Sequence, residues 1–174
     1  MALIRSVRGF TPKIGDKCFL AENATIIGNV VIGDECSIWY NCVIRGDVNS
    51  IRIGNQVNIQ DGAVLHCTFE KSRTILGDRV SIGHNAVVHG CEVHENVLIG
   101  MGAIVMDLTV IESNVIVAAG AIVPENQVLE SGYIYAGVPA RKLKPLDSDN
   151  ADFFIRRTAE NYIRYAGWFL NEGR

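Results

Sequence analysis

The sequence predicts an all-β chain wound as a parallel β-helix of about six coils, followed by one C-terminal α-helix. Three observations predict it. An aliphatic residue recurs every six positions, at Ile14, Leu20, Ile26, Ile32, Ile38 and Ile44. A small or β-branched residue usually stands four places after each of these, as Cys18, Ala24, Val30, Cys36 and Cys42 do. Glycine often follows the aliphatic residue directly, as at Gly15, Gly33, Gly54, Gly77, Gly83 and Gly100. A period of six fits neither a 3.6-residue helix nor a long strand of period two. It fits short strands joined by tight corners, with one large apolar residue turned inward on each face. Three faces make a coil of about 18 residues, and coils stack about 4.8 Å apart.

The elements follow in order. After Ile44 the series resumes at Ile53, Ile59 and Leu65, then at Leu76, Ile82 and Val88. It continues through Val93, Ile99, Val105, Ile111, Val117, Val123 and Leu129. The breaks lie between Ile44 and Ile53, Leu65 and Leu76, and Val88 and Val93. The second accommodates an outward loop near Phe69–Arg73. The repeat occupies 12–137, a linker marked by Pro139 and Pro145 occupies 138–149, and all belong to one domain, 1–174. Ser148, Asp149 and Asn150 are N-cap candidates for a helix over 150–171, whose apolar face carries Ile155, Tyr162, Ala166 and Phe169.

Composition narrows the function. The chain has 174 residues, 16 Lys plus Arg, 19 Asp plus Glu and a formal charge of −3, so no net basicity points to nucleic acid. No apolar run is long enough to span a membrane, and MALIRSVRGF lacks the apolar core of a signal peptide. Five cysteines cannot all pair with one another and suit a reducing compartment, so the expected location is cytoplasmic. Cys18, Cys36 and Cys42 read as core thiols. Cys67 and Cys91 adjoin histidines, which leaves thiolate ligation as a minor alternative.

The histidines carry the chemistry. His66 follows Leu65 and His89 follows Val88, so the two stack on adjacent coils and point outward. The same column holds Arg45 below and Met106 above. His84 lies one corner earlier, in a column reading Tyr40, Asp61, His84, Met101. Two stacked imidazoles can converge on one ion. One chain struggles to add the third ring, whereas three chains around a threefold axis can set His84 of one against His66 and His89 of the next. Taken singly, each histidine reads as a surface imidazole. His94 has no partner in register and reads as surface.

The repeat resembles the hexapeptide-repeat family, which implies a left-handed winding. Within it, Arg45-Gly46-Asp47, Asn58-Ile59-Gln60-Asp61-Gly62, Leu65-His66, Ile82-Gly83-His84, Val88-His89-Gly90-Cys91 and Ile99-Gly100-Met101-Gly102-Ala103 resemble the gamma-class carbonic anhydrases. That resemblance implies a homotrimer with Zn2+ or Fe2+ bound by His66, His84 and His89 across each subunit interface; imidazoles accept Co2+ as well. It implies reversible hydration of CO2 to bicarbonate by a metal-bound hydroxide. Gln60 would orient the hydroxide or substrate, Arg45 and Asp47 would form an interface pair, and Asp61 would accept from His84. The family prototype carries a glutamate proton shuttle on a longer acidic loop; here the loop is short and offers Glu70. Two other readings stand beside this one. Ala136-Gly137-Val138-Pro139-Ala140-Arg141 resembles the terminal segment of hexapeptide acyltransferases, which use one histidine as general base without a metal. A non-catalytic metal- or metallophore-binding or scaffold protein would keep the ion and lack the reaction.

Overall fold

The computed structural model describes residues 1–172 as a three-faced prism of about seven turns with a C-terminal helix. One face stacks parts of Thr25–Ile32 and Val43–Ile53 with Val64–His66, Val87–His89, Ile104–Val105 and Ile122–Val123. The second stacks the other ends of the same two long strands with Thr74–Leu76, Glu92–Val93, Val110–Ile111 and Val128–Leu129. The long strands turn a corner without a break and so join both faces into one 12-stranded sheet. The third face is an 8-stranded sheet from Phe19–Leu20 to Arg141–Pro145. Its last pair, Tyr133–Ala136 with Arg141–Pro145, is antiparallel, and the ladders between coils are parallel.

The six-residue period has a direct physical cause. Each short strand turns one aliphatic side chain into the prism, and the next coil repeats it at the same height. Ile26, Ile44, Leu65, Val88, Val105 and Val123 stack on the first face, and all are buried. Full burial of such a side chain is worth about 1.5–3 kcal/mol. Ile14 and Leu20 are only half-buried, because they lie in the opening coil. The corners take left-handed backbone, at Lys17, Glu35, Gln56, Arg79, Asn96 and Asn114 in one column and at Asn41, Gly62, Asn85, Gly102 and Gly120 in another. Asn and Gly suit that conformation. The glycine that follows an aliphatic residue answers a different need: a Cβ on Gly83 would come within 2.6 Å of Met101 N in the next coil.

Three boundaries differ from the sequence expectation. The prism gains material before residue 12, because Leu3–Arg5 pairs with Thr25–Ile32, and it reaches about seven turns rather than six. The expected linker 138–149 contains the strand Arg141–Pro145. The helical segment begins at Ser148, is π-helical over Ala151–Arg156 and continues as Arg157–Glu172. Its N-cap is Asp147, whose Oδ1 accepts from Asn150 N at 2.8 Å, and none of the three candidates fills that role.

The helix lies on the third face of its own chain. Its own Ile155, Ala159 and Ala166 are buried. Phe169 packs on Phe19 and Trp39 with centroids 5.0 and 5.5 Å apart, and Tyr162 meets Trp39 edge-on at 5.4 Å. This face also buries polar residues that would otherwise meet water: Ser37, Asn58, Gln60 and Ser81. Three of them pair among themselves, Asn58 Nδ2 donating to Ser81 Oγ at 2.7 Å and Gln60 Nε2 to Asn58 Oδ1 at 3.0 Å. Ser37 Oγ instead accepts from the Trp39 indole at 3.0 Å. Among the described residues no helix is long and apolar enough to cross a membrane.

Candidate metal centre

His66 and His89 are direct partners in the parallel ladder of the first face. Their rings stand 5.1 Å apart between centroids at 60°, and His66 Nδ1 lies 3.1 Å from His89 Nε2. Each ring uses its other nitrogen on a carboxylate. His66 Nε2 is 3.1 Å from Asp47 Oδ1, and His89 Nδ1 is 2.9 Å from Asp107 Oδ2. Arg45 Nη1 donates to Asp47 Oδ2 at 2.5 Å.

The hydrogen-bond directions follow from these contacts. Arg45 is always charged and can only donate, so it favours ionised Asp47. Burial by itself raises the Asp47 carboxyl, but the hydrogen bonds from Arg45 and His66 outweigh it and hold the group below its ordinary value. Burial also lowers His66 and favours the neutral ring, against the opposing pull of Asp47. A neutral His66 that gives its Nε2 proton to Asp47 keeps a lone pair on Nδ1. Asp107 behaves like Asp47: burial raises it, and hydrogen bonds from Ser72 and His89 bring it below its usual value. A neutral His89 therefore keeps a lone pair on Nε2. Two lone pairs then face one another at 3.1 Å, an arrangement that needs a proton or a cation between them.

This donor set fits a divalent metal. Two ligands at about 2.0–2.1 Å in a tetrahedral shell stand about 3.3 Å apart, close to the observed separation. A carboxylate behind each ring is the support that metal-binding histidines usually have. His84 is not part of this pair within the chain. It occupies a corner, where Asp61 Oδ2 lies 3.0 Å from its Nδ1 and the hydroxyl of Tyr162 stands 3.5 Å from its Nε2. Among the described residues, no group of three or more His, Cys, Asp or Glu in one chain is arranged to hold an ion.

The remaining predicted residues fall as follows. Gln60 is buried beside this corner and, with His84, Met101, Phe154 and Tyr162, lines an apolar cavity of about 500 Å3. Met101 and Met106 are exposed. Glu70 is exposed at a left-handed turn, and its neighbour Lys71 pairs with Glu125 at 2.9 Å. His94 Nε2 lies 3.3 Å from Glu92 on the surface. Burial pushes the thiols of Cys67 and Cys91 up, the latter to about 12, which disfavours thiolate in both.

The repeat pattern does not single out Asp107 or Ser72. A signal is present: one place beyond the Arg45–His66–His89–Met106 column, Asp107 stands over Gly90. Tyr162 reads from sequence only as part of a packing face.

The comparisons with known proteins agree with the fold. A family profile described as Bacterial transferase hexapeptide (six repeats) matches residues 11–46. A crystal structure of a hexapeptide transferase family protein from Anaplasma phagocytophilum superposes with a TM-score of 0.91 at 37% identity, covering 96% of this chain and 98% of that one. These place the chain in the class of hexapeptide-repeat proteins. Within that class, the chain is 50% identical to a probable carbonic anhydrase of Methanocaldococcus jannaschii, over 84% of this chain and 89% of the relative. It is 44% identical to gamma carbonic anhydrase 1, mitochondrial, of Arabidopsis thaliana, over 89% of this chain and 58% of that longer one. The chain belongs to the gamma carbonic anhydrase-like family of hexapeptide-repeat proteins.

Proposed function

We propose that the protein is a homotrimeric, metal-dependent carbonic anhydrase-like lyase that interconverts CO2 and bicarbonate. His66 and His89 of one subunit and His84 of the next would hold one divalent ion, with zinc the first choice and iron or cobalt alternatives that imidazoles also accept. The observation that carries this reading is the pair of ring nitrogens, His66 Nδ1 and His89 Nε2, that converge at 3.1 Å, each ring backed by a carboxylate. Three neutral imidazoles leave one coordination position open, and a metal there supplies a water acidic enough to serve as hydroxide near neutral pH.

The chain's own residues would do the rest. Asp47, Asp61 and Asp107 hold the outer N–H groups of His66, His84 and His89 and so aim the opposite nitrogens. Arg45 keeps Asp47 ionised and in place. Gln60 has its Nε2 committed to Asn58 at 3.0 Å, so its carbonyl oxygen is the end available to accept a hydrogen bond and orient a reacting water. The apolar cavity beside Gln60 and His84 suits a small, non-polar substrate such as CO2. Within the short loop Glu70 is the acid available to take protons outward, and its exposure leaves it in contact with buffer. The five free cysteines suit a reducing, cytoplasmic location.

A complementation experiment tests the shared site. His66→Ala and His84→Ala chains are each expected to lose metal and CO2 hydration as homotrimers. Refolded together in equal amounts, they would rebuild about a quarter of the sites, because each mixed trimer regains one. Mixed trimers without recovery would refute the intersubunit site. Full metal content without hydration, under zinc, iron and cobalt, would favour a non-catalytic metal-binding protein. The similarity to a hexapeptide transferase family protein supports one further reading, with the His84–Asp61 pair as a general base for acyl transfer. Acyl-CoA turnover by metal-free protein would establish it.

A further inference from the structure

We propose that Asp107 is the positioning residue that fixes the tautomer of His89, and that Ser72 and Gly90 serve to hold it there. The inference deepens the metal-centre reading and rests on it for its purpose, but its chemistry can be measured without a metal.

A loop joins the Val64–His66 and Thr74–Leu76 strands. From sequence this segment reads as a solvated excursion. In the structure it turns back inward. Ser72 N donates to Thr68 O at 3.2 Å, and Thr68 N donates to Ser72 Oγ at 3.0 Å. A backbone N–H can only donate, so Ser72 Oγ is an acceptor toward Thr68 and its own proton is free for another partner. That partner is Asp107 Oδ1, with which Ser72 Oγ makes a short hydrogen bond. Asp107 Oδ2 is then left to accept from His89 Nδ1 at 2.9 Å. The chain of donors runs one way, from Thr68 N through Ser72 to Asp107, and requires the proton of neutral His89 to sit on Nδ1. Nε2, the nitrogen that faces His66, is left with its lone pair.

Gly90 makes this route sterically open. Its neighbours approach so closely that an added Cβ would overlap both Ser72 Oγ and Asp107 Oδ1. It also holds a left-handed φ of +57°, and Leu108 N donates to its carbonyl at 2.8 Å, which fixes Asp107 at the level of the histidine. Ser72 and Asp107 are both nearly fully buried, so water does not compete for these bonds. The inserted loop, the glycine and the acid thus converge on one imidazole nitrogen.

An Asp107→Asn side chain has nearly the same shape but can turn an N–H toward His89. That would reverse the bond, place the ring proton on Nε2 and block the metal-facing lone pair. The test combines two readouts on the full chain. Histidine 15N shifts of metal-free protein at pH 8 should report a protonated Nδ1 for His89 in the native chain and a protonated Nε2 in Asp107→Asn. Competition titration with Zn2+ should show affinity about 10- to 100-fold weaker for Asp107→Asn, with a smaller loss for Ser72→Ala. A merely structural role would lower the melting temperature without moving the tautomer. If Asp107→Asn does not fold, Ser72→Ala carries the test, with an expected rise in the Nε2-protonated fraction. An unchanged His89 tautomer in the folded variants overturns the proposal. A tautomer that switches in a chain that binds no zinc even in its native form upholds the positioning role and overturns the metal-centre reading instead.

Discussion

The two halves of the candidate centre are built to different standards of rigidity. His66 and His89 sit in a parallel ladder, with side chains 18% and 30% exposed, and their carboxylate partners are anchored in turn by Arg45 and Ser72. His84 sits on a corner, 39% exposed, beside an Asp61 that is 42% exposed. Its other neighbour, Tyr162, comes from the helix rather than from the prism. A ladder pair is held by backbone bonds on both sides and by side chains locked in register, so its geometry is set within one chain. A corner residue has fewer constraints. The contrast teaches that pre-organisation can be concentrated in one part of a candidate centre, while another part on the same chain stays adjustable.

Four measurements would break or sharpen that contrast. The largest effect is expected at Gly90. Gly90→Ala forces a methyl against Ser72 and Asp107 at a positive φ, and should cost about 2–4 kcal/mol in thermal unfolding together with a loss of about 100-fold in zinc affinity. Native zinc binding by this variant would mean that the ladder half has slack, and the contrast would fail. Asp61→Asn, on the corner, should weaken zinc by about 10-fold and change stability by no more than about 0.5 kcal/mol, because an exposed pair contributes little to folding. Equal stability losses at Asp61 and Gly90 would erase the difference between the halves.

Acid titration comes next. Asp47 and Asp107 are both held below their ordinary carboxyl values in the folded chain. A depressed folded pKa contributes stability that is present above the unfolded value near 4 and lost as pH falls through the folded value. The melting temperature of metal-free protein should therefore fall below about pH 4, and Asp47→Asn should flatten part of that fall. An unaltered slope would remove Asp47 from the support of the ladder half. The smallest effect concerns access from behind. Cys18 is half-buried while Cys36, Cys42, Cys67 and Cys91 are buried, and burial raises the thiol of Cys91, next to Gly90, to about 12. Iodoacetamide at about pH 7.5 should label Cys18 first and leave Cys91 unmodified, as read by peptide mass analysis. Early labelling of Cys91 would show that the ladder half opens.

Much of the architecture is legible because a stacked coil repeats its constraints. The aliphatic positions, the His66–His89 column and the Tyr40–Asp61–His84–Met101 column all follow from counting in sixes, with allowance for each break. The coil count and the ends are less legible. Leu3–Arg5 and Arg141–Pro145 join the sheets without belonging to the repeat, and Asp147 rather than a neighbour caps the helix. Asp107 is hidden because its role depends on a loop that folds inward, and a break in periodicity says only that residues leave the coil.

The sequence alone determined the period, and with it which side chains point inward and which residues share a column. That is a local, repetitive property, set by strand alternation and by the small residues that tight corners require. The tertiary structure alone decided which polar groups meet across columns. Asp107 reaches His89 over a glycine, Ser72 enters from an insertion, and Tyr162 arrives on a helix distant in sequence. Such contacts depend on side-chain reach and hydrogen-bond direction between segments, and neither is carried by the repeat.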